Sequence, residues 1–187
     1  ALKLACAFAT SEQTPEHARI AEELGYERAW FYDSPALYPD VWVQLCRAAD
    51  RTKRIMLGTG VLVPHLRHPM TTAAAIATLV SAAGRDRVVI GVGSGFTARV
   101  SMGQRPLTWR YVSDYIVALR GLLRGEDVEW EGATIRMLQW EGYGAKRPIE
   151  LPFVIAAGGP KGAATAKELA QGVFGVFEPM AGFDWSV

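Results

Sequence analysis

The sequence predicts an α/β fold, a (β/α)8 barrel of the TIM type that is incomplete and carries a β-hairpin insertion. Short apolar segments, typical of parallel strands buried on both faces, alternate with longer amphipathic segments typical of helices. Successive strands begin about 26 to 33 residues apart over the first four, a spacing that fits βα units with short loops. The first strand-to-helix turn, residues 9–12, contains no glycine. A doubly wound sheet usually has its Gly-rich phosphate loop at that point, so the barrel is favoured over that fold.

The predicted elements follow one another in a regular order. The six barrel strands are expected at residues 2–8, 28–32, 55–63, 88–92, 152–157 and 173–177. Helices are expected to begin at Thr14 and Asp40 as N-caps, then at Pro69, Trp109 and Ala163. Gly25 and Gly84 stand where the first and third helices should end, because glycine readily adopts the backbone conformation that follows a helix.

One segment departs from this alternation. Residues 128–137 alternate apolar and polar side chains around Gly132, which predicts a hairpin insertion at about 126–140. A typical barrel has eight strands and about 250 residues, whereas six strands are recognised in these 187 residues. We therefore predict a single domain over 1–187 with about six of eight βα units. The remaining C-terminal units would be missing because the chain is a fragment, or would be replaced by a partner chain.

Composition narrows the class of function. The formal net charge is +1, and the charged residues are of mixed sign without long runs, so neither nucleic acid nor an anionic membrane is an expected partner. No window approaches the roughly 20 apolar residues that a membrane span needs. Cys6 and Cys46 lie far apart in apolar segments, which predicts two buried thiols and a cytoplasmic location.

Glycines cluster where three of the predicted strands end. They occur in residues 57–61, 91–95 and 157–159. Glycine permits close approach of the backbone to a flat or phosphorylated ligand and leaves N–H groups free to donate. Alternatively, the glycines only relieve crowding where the chain leaves the barrel. Because working residues in such barrels lie at the carboxyl ends of the strands, three converging clusters favour a cofactor site.

Candidate acid/base residues lie at the same strand ends. Asp33 follows an apolar strand, so its carboxylate should be partly desolvated and suited to proton exchange; the alternative is a cap for the turn at Ser34. His65 is the second candidate, and Glu178 has a similar placement near the end of the chain. No third ligand accompanies His65 and His68, so no metal is expected. Arg67 and His68 are interpreted as anion binders or as a helix N-terminal network.

Several segments together resemble the bacterial-luciferase-like flavin-utilising proteins. They are AEELGY at 21–26, WFYD at 30–33, LGTGV at 57–61, RHP at 67–69, VIGVGSG at 89–95 and AAGGPK at 156–161. The resemblance covers nearly the whole chain and is strongest to the branch that uses the deazaflavin coenzyme F-420. It implies an eight-stranded barrel with a hairpin insertion, a cofactor at the barrel mouth, and a non-proline cis peptide at Gly60–Val61.

The resemblance also implies site residues. The predicted cofactor-binding residues are Gly60, Val61, Ser94, Gly95, Arg99, Ala157, Gly158 and Gly159. Asp33 matches an aspartate close to the cofactor ring. In the sugar-phosphate-oxidising members a histidine follows that aspartate, whereas Ser34 stands here, which argues against that substrate class.

The expected function is hydride transfer between bound F-420 and a small organic substrate, with Asp33 as the acid/base residue and His65 second. Two alternatives remain open from the sequence. One is an FMN-dependent monooxygenase, since FMN shares the tricyclic ring and the phosphate. The other is a non-catalytic flavin-binding protein on an incomplete barrel. Six strands leave two edges to be covered, so a homodimer is also expected.

Overall fold

The computed structural model describes residues 3–175. Its main sheet has six parallel strands, and each pairs with the next barrel strand along the chain. These strands are β1 (Ala5–Phe8), β2 (Arg28–Phe31), β3 (Met56–Leu62), β4 (Val88–Val92), β7 (Phe153–Ala156) and β8 (Gly172–Phe174). All six predicted strands are confirmed, most of them shorter than expected. Residues 176 and 177 of the last predicted strand, and Glu178, lie outside the described residues.

The predicted hairpin is also confirmed. It consists of β5 (Val128–Trp130) and β6 (Ala133–Ile135), which pair antiparallel and form a separate two-stranded sheet. The hairpin packs beside the helix Trp109–Arg124, and Trp130 is buried against Tyr115 of that helix with 5.6 Å between the ring centroids. The insertion therefore extends the helical layer and leaves the order of the barrel strands unchanged.

Six α-helices connect the strands within the described residues. They are α1 (Thr14–Glu23), α2 (Val41–Arg51), α3 (Pro69–Ala83), α4 (Phe96–Val100), α5 (Trp109–Arg124) and α6 (Pro160–Leu169). The short helix α4 was not predicted, and α6 begins at Pro160 rather than at Ala163. Within the described residues, no helix has the length and apolar character that crossing a membrane requires.

Two sequence expectations about local structure need correction. Thr14 is not the N-cap of α1: Gln13 occupies that position, and the Thr14 hydroxyl accepts a hydrogen bond from the Ser11 amide at 2.7 Å. The threonine therefore closes the turn before the helix. Cys6 and Cys46 are free thiols, as expected, but each is only half-buried. In contrast, Asp40 caps α2 as predicted, because its Oδ1 accepts from the amides of Trp42 and Val43 at 2.9 and 3.1 Å.

Large side chains from opposite strands fill the barrel interior. Trp30 of β2 packs with Val89 and Val154, and its ring meets Phe174 of β8 edge-on at a centroid distance of 4.4 Å. Strand glycines make room for these rings. A Cβ at Gly60 would lie 2.8 Å from Trp30 Cβ, and one at Gly91 would meet both the Thr59 carbonyl oxygen and the Phe174 ring. The strand glycines are thus needed by the packing of the barrel.

Candidate functional site

A cleft of about 760 Å³ opens at the carboxyl ends of the strands. Seven predicted site residues line it: Asp33, Gly60, Val61, Ser94, Gly95, Ala157 and Gly158. Three others do not: Gly159 is the N-cap of α6, and His65 and Arg99 lie beside the cleft. The structure therefore brings the strand ends together as expected for a barrel, but it puts the second acid/base candidate outside the lining.

Asp33 is a buried carboxylate at the end of β2. Its side chain is 2% exposed, and Arg67 Nη1 contacts Oδ1 at 3.0 Å and Oδ2 at 2.9 Å. The Val63 amide approaches Oδ2 at 3.4 Å. Burial raises the pKa of Asp33, and the charge and hydrogen bonds of Arg67 oppose that rise without cancelling it. Asp33 is therefore a desolvated, ion-paired carboxylate at the lining of the cleft.

Arg67 connects Asp33 to the start of two helices. Its Nη2 contacts Asp40 Oδ2 at 2.7 Å, and the other oxygen of Asp40 caps α2. His68, the next residue, caps α3 through Nδ1, which accepts from the Met70 amide at 3.1 Å. Of the two interpretations offered by the sequence, these contacts favour the helix N-terminal network, because Arg67 and His68 are already engaged within the protein.

A buried polar pair behind Arg67 was not foreseen from the sequence. The Tyr115 hydroxyl donates to the Arg67 carbonyl oxygen at 3.0 Å and lies 2.6 Å from the Thr72 hydroxyl. Burial raises the pKa of Tyr115, so the phenol stays protonated and remains a donor. Tyr115 belongs to the apolar stripe of α5, where a core position was the natural expectation. Its hydroxyl fixes the backbone that carries Arg67.

His65 and Arg99 contact each other at the rim of the cleft. Arg99 Nη1 lies 2.8 Å from His65 Nδ1, and Arg99 Nε donates to the Arg105 carbonyl oxygen at 2.6 Å. Because a guanidinium only donates, Nδ1 is the acceptor in this contact. This pair connects the loop after β3 to the segment after β4. Among the described residues, no group of three His, Cys, Asp or Glu side chains has a metal-binding arrangement.

The three glycine clusters differ in what surrounds them. In the first two, an added Cβ would meet protein: at Gly58 it would lie 2.7 Å from Val89 Cγ1, and at Gly93 it would lie 2.6 Å from Val61 Cγ2. At Gly158 and Gly159 it would meet none of the residues 3–175 within 4 Å. The Gly60–Val61 peptide is cis, as the resemblance implies. The third cluster alone therefore leaves open space beside the backbone.

That open space lies at the beginning of α6. Pro160 has no N–H, and no side chain caps the first turn of the helix in the described structure. The exposed Lys161 adds a positive charge to this end. Trp109 supports the turn from behind, because its ring lies where a side chain at Gly162 would begin. Free amides at a helix N-terminus bind anions, and phosphate groups in particular.

Comparison with known proteins agrees with this architecture. The model of the luciferase-like monooxygenase family matches residues 7–187. The 5,10-methylenetetrahydromethanopterin reductase of Methanolobus tindarius is 34% identical over 164 residues, which are 84% of this chain and 48% of that protein. The F-420-dependent glucose-6-phosphate dehydrogenase of Microbacterium testaceum is 31% identical over 168 residues, or 82% of this chain and 49% of that protein.

A solved structure shows the same similarity. The coenzyme F-420-dependent tetrahydromethanopterin reductase from Methanopyrus kandleri superposes with a TM-score of 0.75 at 27% identity, covering 93% of this chain and 55% of that one. The chain spans about half the length of the curated relatives it matches. With a family match over nearly all of its residues, the chain belongs to the luciferase-like monooxygenase family.

Proposed function

We propose that this chain binds coenzyme F-420 and takes part in hydride transfer between it and a small organic substrate. The observation that carries the proposal is the bare backbone at Gly158 and Gly159, which leaves open space above the uncapped start of α6. An anionic tail fits there, because free amides and Lys161 supply donors and positive charge. The names of the relatives, which are F-420-dependent enzymes, support the deazaflavin over other phosphorylated ligands.

The residues that would lie near the cofactor ring fit a flat group. Val61, Ser94 and Gly95 line the wall formed by β3 and β4, and Ala157 lines the neighbouring strand end. The wall has no charged side chain among these residues, so a planar heterocycle can lie against backbone and small side chains. We propose that Gly60, Val61, Ser94, Gly95, Ala157, Gly158 and Gly159 hold the coenzyme. Arg99 would act indirectly, because its contacts with His65 and the Arg105 carbonyl oxygen fix the segment after β4 at the rim of the cleft.

The protein's own contribution to the reaction is positioning and proton transfer. When bound, the coenzyme exchanges a hydride with a substrate carbon, and the protein supplies orientation and electrostatics. For an alcohol, loss of the C–H hydride and of the O–H proton forms the carbonyl. We propose that Asp33 accepts that proton, because it lines the cleft and because its raised pKa brings it closer to the range useful for proton exchange. His65 would serve second, at the rim.

The test is turnover of F-420 with a panel of alcohols, ketones, imines and sugar phosphates, measured through the deazaflavin absorbance. Asp33→Asn should lower kcat at least 100-fold with little change in F-420 affinity, since general acid–base catalysis contributes about 10² to 10⁴. Asp50→Asn, at an exposed position of α2, is the matched control. F-420 binding with no turnover of any substrate would favour the non-catalytic alternative, and preference for FMN would favour the monooxygenase.

Three further expectations stay predictions. A homodimer would be tested by the molar mass in solution, a cytoplasmic location by cell fractionation, and the single domain over 1–187 by limited proteolysis.

A further inference from the structure

We infer that Asp40 is a positioning residue that controls proton exchange at Asp33 through the arginine between them, Arg67. The three side chains form one ionic group in which two carboxylates share a single guanidinium. The catalytic consequence rests on the proposed function, which makes Asp33 the acid/base residue. The ionic coupling itself can be measured without coenzyme or substrate.

The guanidinium of Arg67 is divided between the two carboxylates. Its Nη1 contacts both oxygens of Asp33, at 3.0 and 2.9 Å, and its Nη2 contacts Asp40 Oδ2 at 2.7 Å. The arginine is also anchored by its backbone, because its carbonyl oxygen accepts from the Tyr115 hydroxyl at 3.0 Å. Its side chain is only 14% exposed. A cation held in this way cannot serve one carboxylate without withdrawing part of its charge from the other.

The two carboxylates differ in their surroundings. The Asp33 side chain is 2% exposed and that of Asp40 is 46% exposed. Burial raises the pKa of Asp33, although Arg67 opposes the rise. Burial also acts to raise the pKa of Asp40, but the hydrogen bonds from Arg67 and from the amides of Val43 and Trp42 outweigh it, so that pKa is lowered. Asp40 therefore stays ionised at the pH where Asp33 takes up its proton.

The negative charge of Asp40 acts on Asp33 in two ways. It competes for the positive charge of Arg67, and it repels the charge of Asp33, so both effects favour the protonated form of Asp33. Among the described residues, Arg67 and Asp40 are the charged side chains that act on Asp33. Three tyrosines are the other titratable side chains of this region, namely Tyr115 behind Arg67 and Tyr32 and Tyr38 in the cleft lining. Asp40 is therefore the anion that sets the proton affinity of Asp33.

The test is the titration of the Asp33 carboxyl, followed by carbon-13 NMR in the chain labelled at the carboxyl carbon of aspartate. The Asp33 signal is assigned by its absence in Asp33→Asn. Asp40→Asn removes the charge but keeps the helix cap, because asparagine and aspartate are equally good N-caps. We expect the pKa of Asp33 to fall by about one pH unit in this variant, which is about a tenfold loss of proton affinity.

Two further variants separate charge from other effects. Serine is also a good N-cap without a charge, so Asp40→Ser should shift the pKa of Asp33 as Asp40→Asn does. Asp86→Asn, at an exposed position in the turn before β4 and at the opposite end of the barrel, is the matched control and should leave it unchanged.

The kinetic consequence is measured with F-420 and an alcohol. A base works when it is ionised, so a lower pKa at Asp33 should move the acid limb of the kcat–pH profile of Asp40→Asn to lower pH by the same amount. The plateau of kcat should fall about threefold, because a weaker base accelerates proton transfer less. The F-420 affinity should stay the same, because Asp40 does not line the cleft. A merely structural role of Asp40 would lower kcat without moving the profile.

The two measurements separate this inference from the proposed function. Failure of F-420 to bind, or no turnover of any alcohol, would count against the proposed function, whereas the carboxyl titration would still decide the inference. The inference is overturned if the pKa of Asp33 is unchanged or raised in Asp40→Asn, or if Asp86→Asn shifts it as much. A lowered pKa with an unmoved kcat–pH profile would support the coupling and show that Asp33 is not the base.

Discussion

The glycines inside the barrel strands and the glycines after β7 look alike in sequence but have different surroundings. Those at 60 and 91 face other parts of the protein, where a Cβ would press on Trp30 or on the Thr59 carbonyl oxygen. Those at 158 and 159 face open space. Glycines at strand ends are therefore required for two different reasons. One is the packing of the barrel interior, and the other is room for a ligand.

The largest effect should come from replacing a packed strand glycine. Gly91→Ala would drive its Cβ into the Thr59 carbonyl oxygen, which belongs to the backbone and has little freedom to move. We expect a loss of about 3 kcal/mol in the free energy of unfolding, the upper range for overpacking. Denaturant titration measures it. Gly158→Ala is the matched control, with an expected change of about 0.5 kcal/mol or less. Equal losses of unfolding free energy in Gly91→Ala and Gly158→Ala would show that the two kinds of glycine do not differ in their packing.

The backbone amides of residues 53–55 already bind an anion, the carboxylate of Glu22. This contact shows how much stability an anion contributes when it accepts from consecutive free amides. The Glu22 carboxylate accepts from the amides of Lys53, Arg54 and Ile55 at 2.5 to 3.1 Å. Glu22→Ala should therefore lower the free energy of unfolding by about 1 to 3 kcal/mol. Glu23→Ala, at the exposed neighbouring position, should cost about 0.5 kcal/mol or less. Similar losses in both would contradict the assignment.

The same contact predicts a pH dependence. Burial acts to raise the pKa of Glu22, but the hydrogen bonds from Ile55, Arg54 and Lys53 outweigh it, so its pKa is lowered. A lowered folded-state pKa means that the stabilisation is present above the ordinary glutamate pKa of about 4.3. It is lost as the pH falls from there through the folded value. Glu22→Ala should lack this part of the acid dependence in denaturant titrations at several pH values.

The smallest expected effect is on F-420 affinity, from a substitution in the loop between β7 and α6. Gly158→Val has room within the protein, so the stability should be unchanged, but the added side chain would occupy space assigned to the coenzyme. We expect the F-420 dissociation constant to rise about tenfold, equivalent to about 1.4 kcal/mol. Ala164→Val, on the exposed face of α6, adds the same bulk away from the cleft and should bind normally. Unchanged affinity in Gly158→Val would argue against a ligand at this loop.

The sequence predicted most of the fold because apolar runs and glycine turns are local signals. The hairpin around Gly132 and the Asp40 cap are examples, since each depends on residues a few positions apart. Helix α4 was missed because a five-residue helix has too few turns to show a period. Thr14 was misassigned because its hydroxyl serves the preceding turn, an alternative that the residue type allows equally well.

The candidate site was only partly predictable, because its chemistry depends on distant partners. The strand-end position of Asp33 was visible in the sequence, but its pairing with Arg67, 34 residues later, was not. For Arg67 the sequence left two interpretations open, an anion binder or a helix N-terminal network, and only its contacts with Asp33 and Asp40 favour the second. The space around Gly60 and Gly91 likewise depends on residues of other strands, which the local sequence does not reveal.

The most direct test of the central claim is equilibrium binding of F-420 and FMN to the unsubstituted chain, followed by fluorescence. We expect saturable binding of F-420, at least tenfold tighter than that of FMN. Inorganic phosphate should compete with F-420, because the coenzyme's anionic tail is assigned to the start of α6. The absence of saturable F-420 binding, or tighter binding of FMN, would show that the cleft is not a deazaflavin site.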